Sequence, residues 1–212
     1  MRRRSLIVLG IAAGALLVPG LASGGLGSHD VTVADATSGG TYTPKNISAT
    51  VGSDNQVNWL PWNTADIHNV KQDKNLFSSG NPVTSDSDGF TRILSAGTFG
   101  YYCTAHGAPG IGMAGTIKVK PAMSPDPSGK PFTVIWGGQE TQSGNAFDVR
   151  YRAGNGKWKM WKKGTKGFKA VFGKSGKPVR IHSGTAYKFQ VRSKDAGTKK
   201  VSKYSPSLTV RP

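Results

Sequence analysis

The chain has one cysteine, and the residues around it include other side chains that bind soft metal ions. Cys103 is followed by His106 and Met113, and His68 lies further upstream. A thiolate, two imidazoles and a thioether are the donors of a mononuclear type 1 copper site, in which the methionine occupies a longer axial position. These four residues therefore predict a single copper centre.

Each of these residues also has an ordinary interpretation. A lone cysteine is usually a small buried hydrophobic residue, a lone histidine a surface or satisfied core residue, and a lone methionine a filler of core gaps. In an exported protein, however, a single cysteine cannot form an internal disulfide, and a free thiol is open to oxidation. Structural zinc sites typically use several cysteines in short paired spacings, which this chain lacks. The thioether beside the thiolate therefore favours copper over zinc.

A series of short motifs surrounds these residues between Val31 and Val119. The series consists of Thr41-Tyr42-Thr43-Pro44, Val57-Asn58-Trp59, Ile67-His68-Asn69-Val70, Gly97-Thr98-Phe99-Gly100-Tyr101-Tyr102-Cys103 and the segment from His106 to Val119. In these motifs, residues 28–120 resemble the plastocyanin-like cupredoxins, a family of blue copper proteins. The resemblance implies a Greek-key β-sandwich that holds one type 1 copper ion and carries single electrons. It assigns the copper ligands to His68, Cys103, His106 and Met113.

Two further features of the resemblance concern the loop that carries the ligands. Six residues separate His106 from Met113 where plant plastocyanins have four, but the Met-x-Gly sequence favours Met113 over Met123 as the axial ligand. Asn69 matches an asparagine that holds this loop by hydrogen bonding. The resemblance also implies that the edge of His106 passes electrons at the surface, and residues 107–111 predict an apolar and uncharged rim around it.

The N-terminal residues are typical of a secretory signal peptide. Three arginines precede an apolar run from Leu6 to Val18, and small residues follow near Ala22. The run is shorter than the about 20 residues that span a bilayer. We therefore predict a signal peptide over residues 1–24 and an exported, extracytoplasmic protein that is secreted, at the cell surface or periplasmic. Retention of the segment as an anchor stays open, as does the choice between the general secretory and twin-arginine routes.

A proline-rich segment divides the remaining chain. Residues 121–131 contain four prolines and no hydrophobic periodicity, which predicts an extended linker over residues 121–130. Residues 26–122 contain six Lys/Arg and seven Asp/Glu, whereas residues 123–212 contain nineteen Lys/Arg and four Asp/Glu. The strong positive charge of the protein therefore belongs to its second half.

The second half has short alternating apolar runs separated by Gly, Asn, Ser and Pro, which predict β-strands. With Trp136 at an early buried position, a following strand at 147–152 and Tyr187 at the position of a tyrosine corner, residues 131–212 resemble a fibronectin type III domain. The absence of a cysteine pair argues against an antibody-type domain. We expect an all-β protein of two β-sandwich domains after the signal peptide.

One stretch of the second half alternates basic and aromatic residues, from Lys157 through Trp158 and Trp161 to Lys163. Such a stretch could bind an anionic polymer, with lysines at the charges and indoles stacking. Because export makes nucleic acid an unsuitable partner, we favour anionic cell-envelope polymer or lipid. The alternative is that these lysines protect the exposed edge of a sheet.

Together these patterns predict an exported type 1 copper protein that carries single electrons to or from a redox partner protein. The basic module would tether or dock it. The alternative is an extracytoplasmic copper-binding or delivery protein without a role in a redox chain. An enzyme is not expected, because copper oxidases and nitrite reductases use further copper sites with His-x-His pairs, and none of the four histidines forms such a pair.

Overall fold

The computed structural model describes residues 27–37, 39–124, 131–173 and 179–212. These residues contain β-strands and no α-helix, so the predicted all-β class is confirmed. The predicted signal peptide over residues 1–24 lies outside the described residues. Within the described ranges, no helix is long and apolar enough to cross a membrane.

The first unit of the fold contains ten strands. They are β1 (Ser28–Ala34), β2 (Thr41–Thr43), β3 (Asn46–Thr50), β4 (Gln56–Trp59), β5 (Trp62–His68), β6 (Lys71–Gln72), β7 (Val83–Asp86), β8 (Phe90–Ile93), β9 (Gly97–Ala108) and β10 (Ile111–Lys120). Two sheets of four strands, ordered β2-β1-β4-β8 and β3-β10-β9-β6, account for eight of them. Strands β5 and β7 pair with each other as a separate two-stranded ribbon.

The two four-stranded sheets share a core because their strands alternate between buried and exposed residues. On β9, Phe99, Tyr101 and Cys103 are fully buried while Tyr102 between them is partly exposed, as strand periodicity requires. Trp59 of β4 meets Tyr101 edge-on, with ring centroids 5.2 Å apart, so the contact joins the two sheets. This arrangement is compatible with the predicted sandwich.

The second unit contains seven strands. They are β11 (Ala122–Ser124), β12 (Phe132–Ile135), β13 (Ala146–Ala153), β14 (Lys159–Thr165), β15 (Lys169–Phe172), β16 (Tyr187–Lys194) and β17 (Leu208–Val210). They form sheets ordered β11-β12-β15 and β14-β13-β16-β17 around a core that contains the fully buried Trp136. The hydroxyl of buried Tyr187 donates to the Arg180 carbonyl at 3.2 Å and accepts the His182 N–H at 2.9 Å. These two hydrogen bonds to the backbone just upstream of Tyr187 are typical of a tyrosine corner.

Part of the segment interpreted as a linker is a strand. Ala122–Ser124 pair antiparallel with residues 133–135 of β12, so the chain enters the second unit's sheet soon after leaving β10. Pro121 stands just before the strand, where proline removes no ladder hydrogen bond. The remaining linker residues, 125–130, lie outside the described residues.

The two units are in direct contact through hydrogen-bonded polar groups. The fully buried Ser95 of the first unit bonds through its hydroxyl to Ser143, at 2.9 Å, and to Ser193 of the second unit. Thr98 and Lys203 exchange two backbone hydrogen bonds of 3.0 and 3.1 Å, which extends the edge of β9 with a segment of the second unit. The basic unit is therefore docked on the sheet that carries Cys103.

Candidate metal centre

Three of the four predicted ligands lie in one irregular β-hairpin. Strands β9 and β10 pair near the tip through Gly107 and Gly112, and resume pairing at Tyr102 and Ala114. Between these points, four residues of β9 oppose one residue of β10, so the strands bulge apart. Cys103 and His106 are on the longer side of this bulge, and Met113 is the single residue opposite. The six residues between His106 and Met113 are accommodated at the hairpin tip.

The fourth residue arrives from a different part of the fold. His68 ends β5, and its Nδ1 lies 3.2 Å from Nδ1 of His106. The Cys103 Sγ is 3.7 Å from the same His106 nitrogen, and one ligating atom from each of the three residues lies within 4.8 Å of the others. His68 and Cys103 are fully buried, and the His106 side chain is only 13% exposed. The structure therefore brings two imidazoles and a thiol together in a closed site.

These separations fit a shared metal ion. Metal–nitrogen bonds of about 2.0 Å and metal–sulfur bonds of about 2.3 Å allow two nitrogens at most about 4 Å apart, and a nitrogen and sulfur at most about 4.3 Å apart. The two Nδ1 atoms, 3.2 Å apart, satisfy the first limit, and the His106 Nδ1 and Cys103 Sγ atoms, 3.7 Å apart, satisfy the second. The cluster could therefore hold one metal ion without large movement of its side chains.

The Met113 sulfur faces the same cluster. A Cβ atom built on Gly40 would lie 2.8 Å from the Met113 Sδ, 2.5 Å from His68 Cε1 and 3.1 Å from His68 Nδ1. The Met113 thioether and the His68 imidazole therefore both pack against Gly40. Met113 is 2% exposed, whereas Met123 is 38% exposed on β11 of the second unit. Of the two methionines weighed as axial ligand, Met113 is the one beside the cluster.

Gly40 also explains how the backbone comes so close to these side chains. Its φ of +118° is a conformation that residues with a Cβ rarely adopt, and any Cβ there would overlap His68. The preceding Gly39, with φ +96°, would place a Cβ 3.0 Å from the His106 ring. Sequence reasoning missed this glycine pair. The available signal was its position immediately before the Thr41-Tyr42-Thr43-Pro44 motif.

Two aspartate carboxylates lie beside the Nε2 atoms of the two histidines, on the side away from the cluster. Sequence reasoning missed both aspartates. The Asp35 carboxylate lies 2.9 Å from His68 Nε2, and the Asp66 carboxylate lies 3.1 Å from His106 Nε2. The hydrogen bond with His68, and then the Ala65 N–H, lower the pKa of Asp35 below its usual value. Only Asp66 carried a sequence signal, since it precedes His68 by two positions on the same strand.

The expectation of an uncharged rim at His106 is wrong. Asp66 is 53% exposed and its carboxylate caps the outer edge of the imidazole. The reason is that β5 ends at His68 beside this ring, which brings the residue two positions earlier to the same place. The tip of the hairpin does match the expectation of apolar character, since Ile111 is 70% exposed.

Asn69 has the role that the sequence predicted. Its side-chain oxygen accepts the Thr104 N–H at 2.8 Å, next to Cys103, and its amide donates to the Gly80 carbonyl at 2.7 Å. The hydroxyl of buried Tyr42 donates to the Asn69 carbonyl. The hairpin that carries Cys103 is thereby tied to the end of the strand that carries His68.

The aromatic residues of the basic stretch are already engaged within the protein. Trp161 packs edge-on against Trp136, with ring centroids 6.0 Å apart. Trp158 lies against the guanidinium groups of Arg150 and Arg152, at 4.7 and 4.9 Å. Trp161 is therefore packed against the core of the unit, whereas Trp158 is partly exposed beside two cations of the unit itself. The lysines of this stretch remain exposed or partly exposed, and β14 is an edge strand, which also agrees with an edge-protecting role.

A search against protein-family models and a search of curated proteins found no match to the chain. The resemblances to cupredoxins and to fibronectin type III domains therefore stay predictions. What the geometry supports is a buried site with two nitrogen donors and one sulfur donor, with a thioether beside it.

Proposed function

We propose that this protein is an exported type 1 copper protein that carries single electrons, with a plastocyanin-like first unit. The observation that carries the proposal is the buried cluster of His68, Cys103 and His106, with the Met113 sulfur beside it. This donor set matches the trigonal His₂Cys arrangement with a weak axial thioether that selects copper in electron-transfer proteins.

Bound copper would supply a one-electron Cu(II)/Cu(I) couple, and the chain's own residues would keep the change in geometry between the two states small. His68 is fixed by β5 and Asp35, and the Asn69 hydrogen bond restrains the backbone next to Cys103. Burial of His68 and Cys103 excludes water and leaves little room for a substrate. A rigid, closed site of this kind favours electron transfer over catalysis.

The alternative function is copper binding or delivery without a redox role. Delivery requires ligand exchange with an acceptor, and exchange is easiest when donor atoms reach the surface. Here the His68 and Cys103 side chains are fully buried and Met113 is 2% exposed. This burial favours the carrier over the delivery protein.

We further propose that the second unit is a fibronectin type III module that tethers or docks the carrier outside the cytoplasmic membrane. Its support is the charge asymmetry, with nineteen Lys/Arg against four Asp/Glu in residues 123–212. Exposed lysines such as Lys159 and Lys163 would attract anionic envelope polymer or lipid. A redox partner protein would meet the first unit near His106.

Voltammetry and chelator competition on the copper-loaded full chain separate the two functions. A carrier should give a reversible one-electron wave and release Cu(I) slowly to a chelator, since its ligands are closed in. Rapid and complete transfer to the chelator, without a reversible wave, would overturn the carrier and support delivery.

A further inference from the structure

In both histidines of the cluster, each ring nitrogen lies close to a polar atom of another side chain. Their Nδ1 atoms face each other at 3.2 Å inside the site. Their Nε2 atoms point the opposite way, toward Asp35 at 2.9 Å for His68 and toward Asp66 at 3.1 Å for His106. Each imidazole thus lies between the cluster and a carboxylate.

We propose that Asp35 and Asp66 are positioning residues that present the Nδ1 atoms of His68 and His106 to the metal and lower its reduction potential. The inference rests on the proposed copper site and extends it to two residues that are not ligands. Both side chains are at least 40% exposed, and within the described part of the chain neither forms an ion pair with a Lys or Arg.

The first part of the inference concerns which nitrogen binds the metal. A carboxylate accepts a hydrogen bond from Nε2–H, and a neutral imidazole with its proton on Nε2 has a free lone pair on Nδ1. The hydrogen bond also fixes the ring orientation and raises the basicity of the ligating nitrogen. Asp35 therefore selects this tautomer of His68 by a hydrogen bond, and the Asp66 carboxylate, 3.1 Å from His106 Nε2, favours the same tautomer of His106 by its negative charge.

The second part concerns the charge that the metal can hold. An anionic partner on each imidazole adds electron density to the donor atom and negative charge close to the ion. Both effects stabilise a divalent ion more than a monovalent one. Two carboxylates should therefore favour Cu(II) over Cu(I) and keep the reduction potential low.

The carboxylates are themselves held in place, mainly by the end of β5. Asp35 accepts the backbone N–H of Ala65 with one oxygen, at 2.8 Å, and Nε2–H of His68 with the other. Asp66 accepts the N–H of Ile67 at 2.9 Å with one oxygen, and its other oxygen lies at ion-pair distance, 3.1 Å, from His106 Nε2. The end of β5 thus supplies three parts of the site. His68 is a proposed ligand, Asp66 is the carboxylate beside His106, and the Ala65 N–H fixes the Asp35 carboxylate beside His68.

The test uses Asp35→Asn and Asp66→Asn in the full chain, with Asp88→Asn as the matched control. Asn keeps the shape of Asp but removes the charge, and it has one acceptor oxygen where both aspartates use two. Asp88 is exposed on the same unit, and among the described residues its carboxylate bonds the Ser87 hydroxyl within a turn, so it controls for the loss of one negative charge. Circular dichroism checks that every variant keeps its fold.

The measurements are affinities for Zn(II), Cu(II) and Cu(I) by competition titration, and the reduction potential of the copper form. Each site variant should bind divalent ions about 10- to 100-fold more weakly. Cu(I) affinity should fall less, so the potential should rise. The NMR signal of the His106 Nε2–H in the Zn(II) form should also lose its protection from exchange in Asp66→Asn. Asp88→Asn should leave all of these values close to those of the unmodified protein.

Unchanged divalent affinities and an unchanged potential in both site variants would overturn the inference. An equal change in Asp88→Asn would overturn it too, since the effect would then be general electrostatics. The proposed function fails separately, if the unmodified Cu(II) protein gives no thiolate-to-copper absorption. In that case, weaker Zn(II) binding by the variants would still support positioning by the aspartates.

Discussion

The Nδ1 atoms of His68 and His106 lie 3.2 Å apart although the residues are 38 positions apart in the chain. When both nitrogens are unprotonated their lone pairs repel each other, and a cation shared between them would stabilise the arrangement. The Cys103 sulfur, 3.7 Å from the His106 nitrogen, adds a third donor to the same space. This convergence is the reason to treat the three residues as one site.

The Met113 thioether should tune the reduction potential of the bound copper. Met113→Gln should lower the potential because a harder oxygen donor favours Cu(II), and Met113→Leu should raise it because the axial donor is lost. Voltammetry of the copper-loaded variants measures both shifts. Met123→Leu is the control, since Met123 lies on β11 in the other unit, and it should leave the potential unchanged. Equal shifts at both methionines would show that Met113 is not the axial donor.

Gly40 should tolerate no side chain. In Gly40→Ala the new Cβ would lie 2.5 Å from His68 Cε1 and 2.8 Å from the Met113 sulfur, so both must move. We expect a loss of about 1 to 3 kcal/mol in the free energy of unfolding, together with a shifted copper spectrum. Gly52→Ala is the control, because Gly52 also has positive φ but no atom lies within 4 Å of the added Cβ. A spectrum unchanged in Gly40→Ala would contradict the close approach.

The contact between the two units should make them unfold together. Ser95→Ala removes one partner from each of two buried hydroxyls, those of Ser143 and Ser193. Ser143 keeps its bond from the residue 95 backbone N–H and Ser193 keeps its bond to the Ala96 carbonyl, so the expected cost is about 0.5 to 1.5 kcal/mol for each hydrogen bond lost. Calorimetry should therefore give one transition at a lower temperature, whereas Ser87→Ala, at an exposed turn, should have little effect. Two separate transitions, only one of which moves, would show that the units are independent.

The basic unit should bind anionic liposomes in a salt-dependent way. Replacement of Lys159, Lys162 and Lys163 by Gln should weaken sedimentation with such liposomes and leave the copper spectrum unchanged. Exposed charges are screened beyond about 8 Å at physiological ionic strength, so binding should fall steeply as salt rises. The control makes the same change of charge at three exposed lysines of the first unit, Lys45, Lys118 and Lys120. An equal loss in both triple variants, or no binding at low salt, would favour the edge-protecting role.

Local patterns predicted much of the fold. Alternation on β9 and β16 identified the strands and their buried faces, because a strand repeats every two residues. The linker interpretation was incomplete because a strand of three residues, Ala122–Ser124, is too short to show periodicity within a proline-rich segment. The serine contact between units had no sequence signal, since Ser95 and Ser193 are 98 positions apart and serine is common on surfaces.

The sequence predicted the donor atoms of the candidate site but not the residues that hold the donor side chains in place. Cys103, His106 and Met113 share a short segment, and residue type alone indicates their chemistry. Asp35 and Gly40 contact the cluster from the connection between β1 and β2, where no periodicity fixes the position of a side chain. Such contacts follow from the packing of the whole unit.

The most direct test of the central claim is the visible spectrum of the full chain after loading with Cu(II), beside that of Cys103→Ser. The account predicts an intense thiolate-to-copper absorption in the unmodified protein, with one copper per chain, and its disappearance in Cys103→Ser. A colourless Cu(II) complex of the unmodified protein, or recovery of zinc in preference to copper, would contradict the assignment of a type 1 copper site.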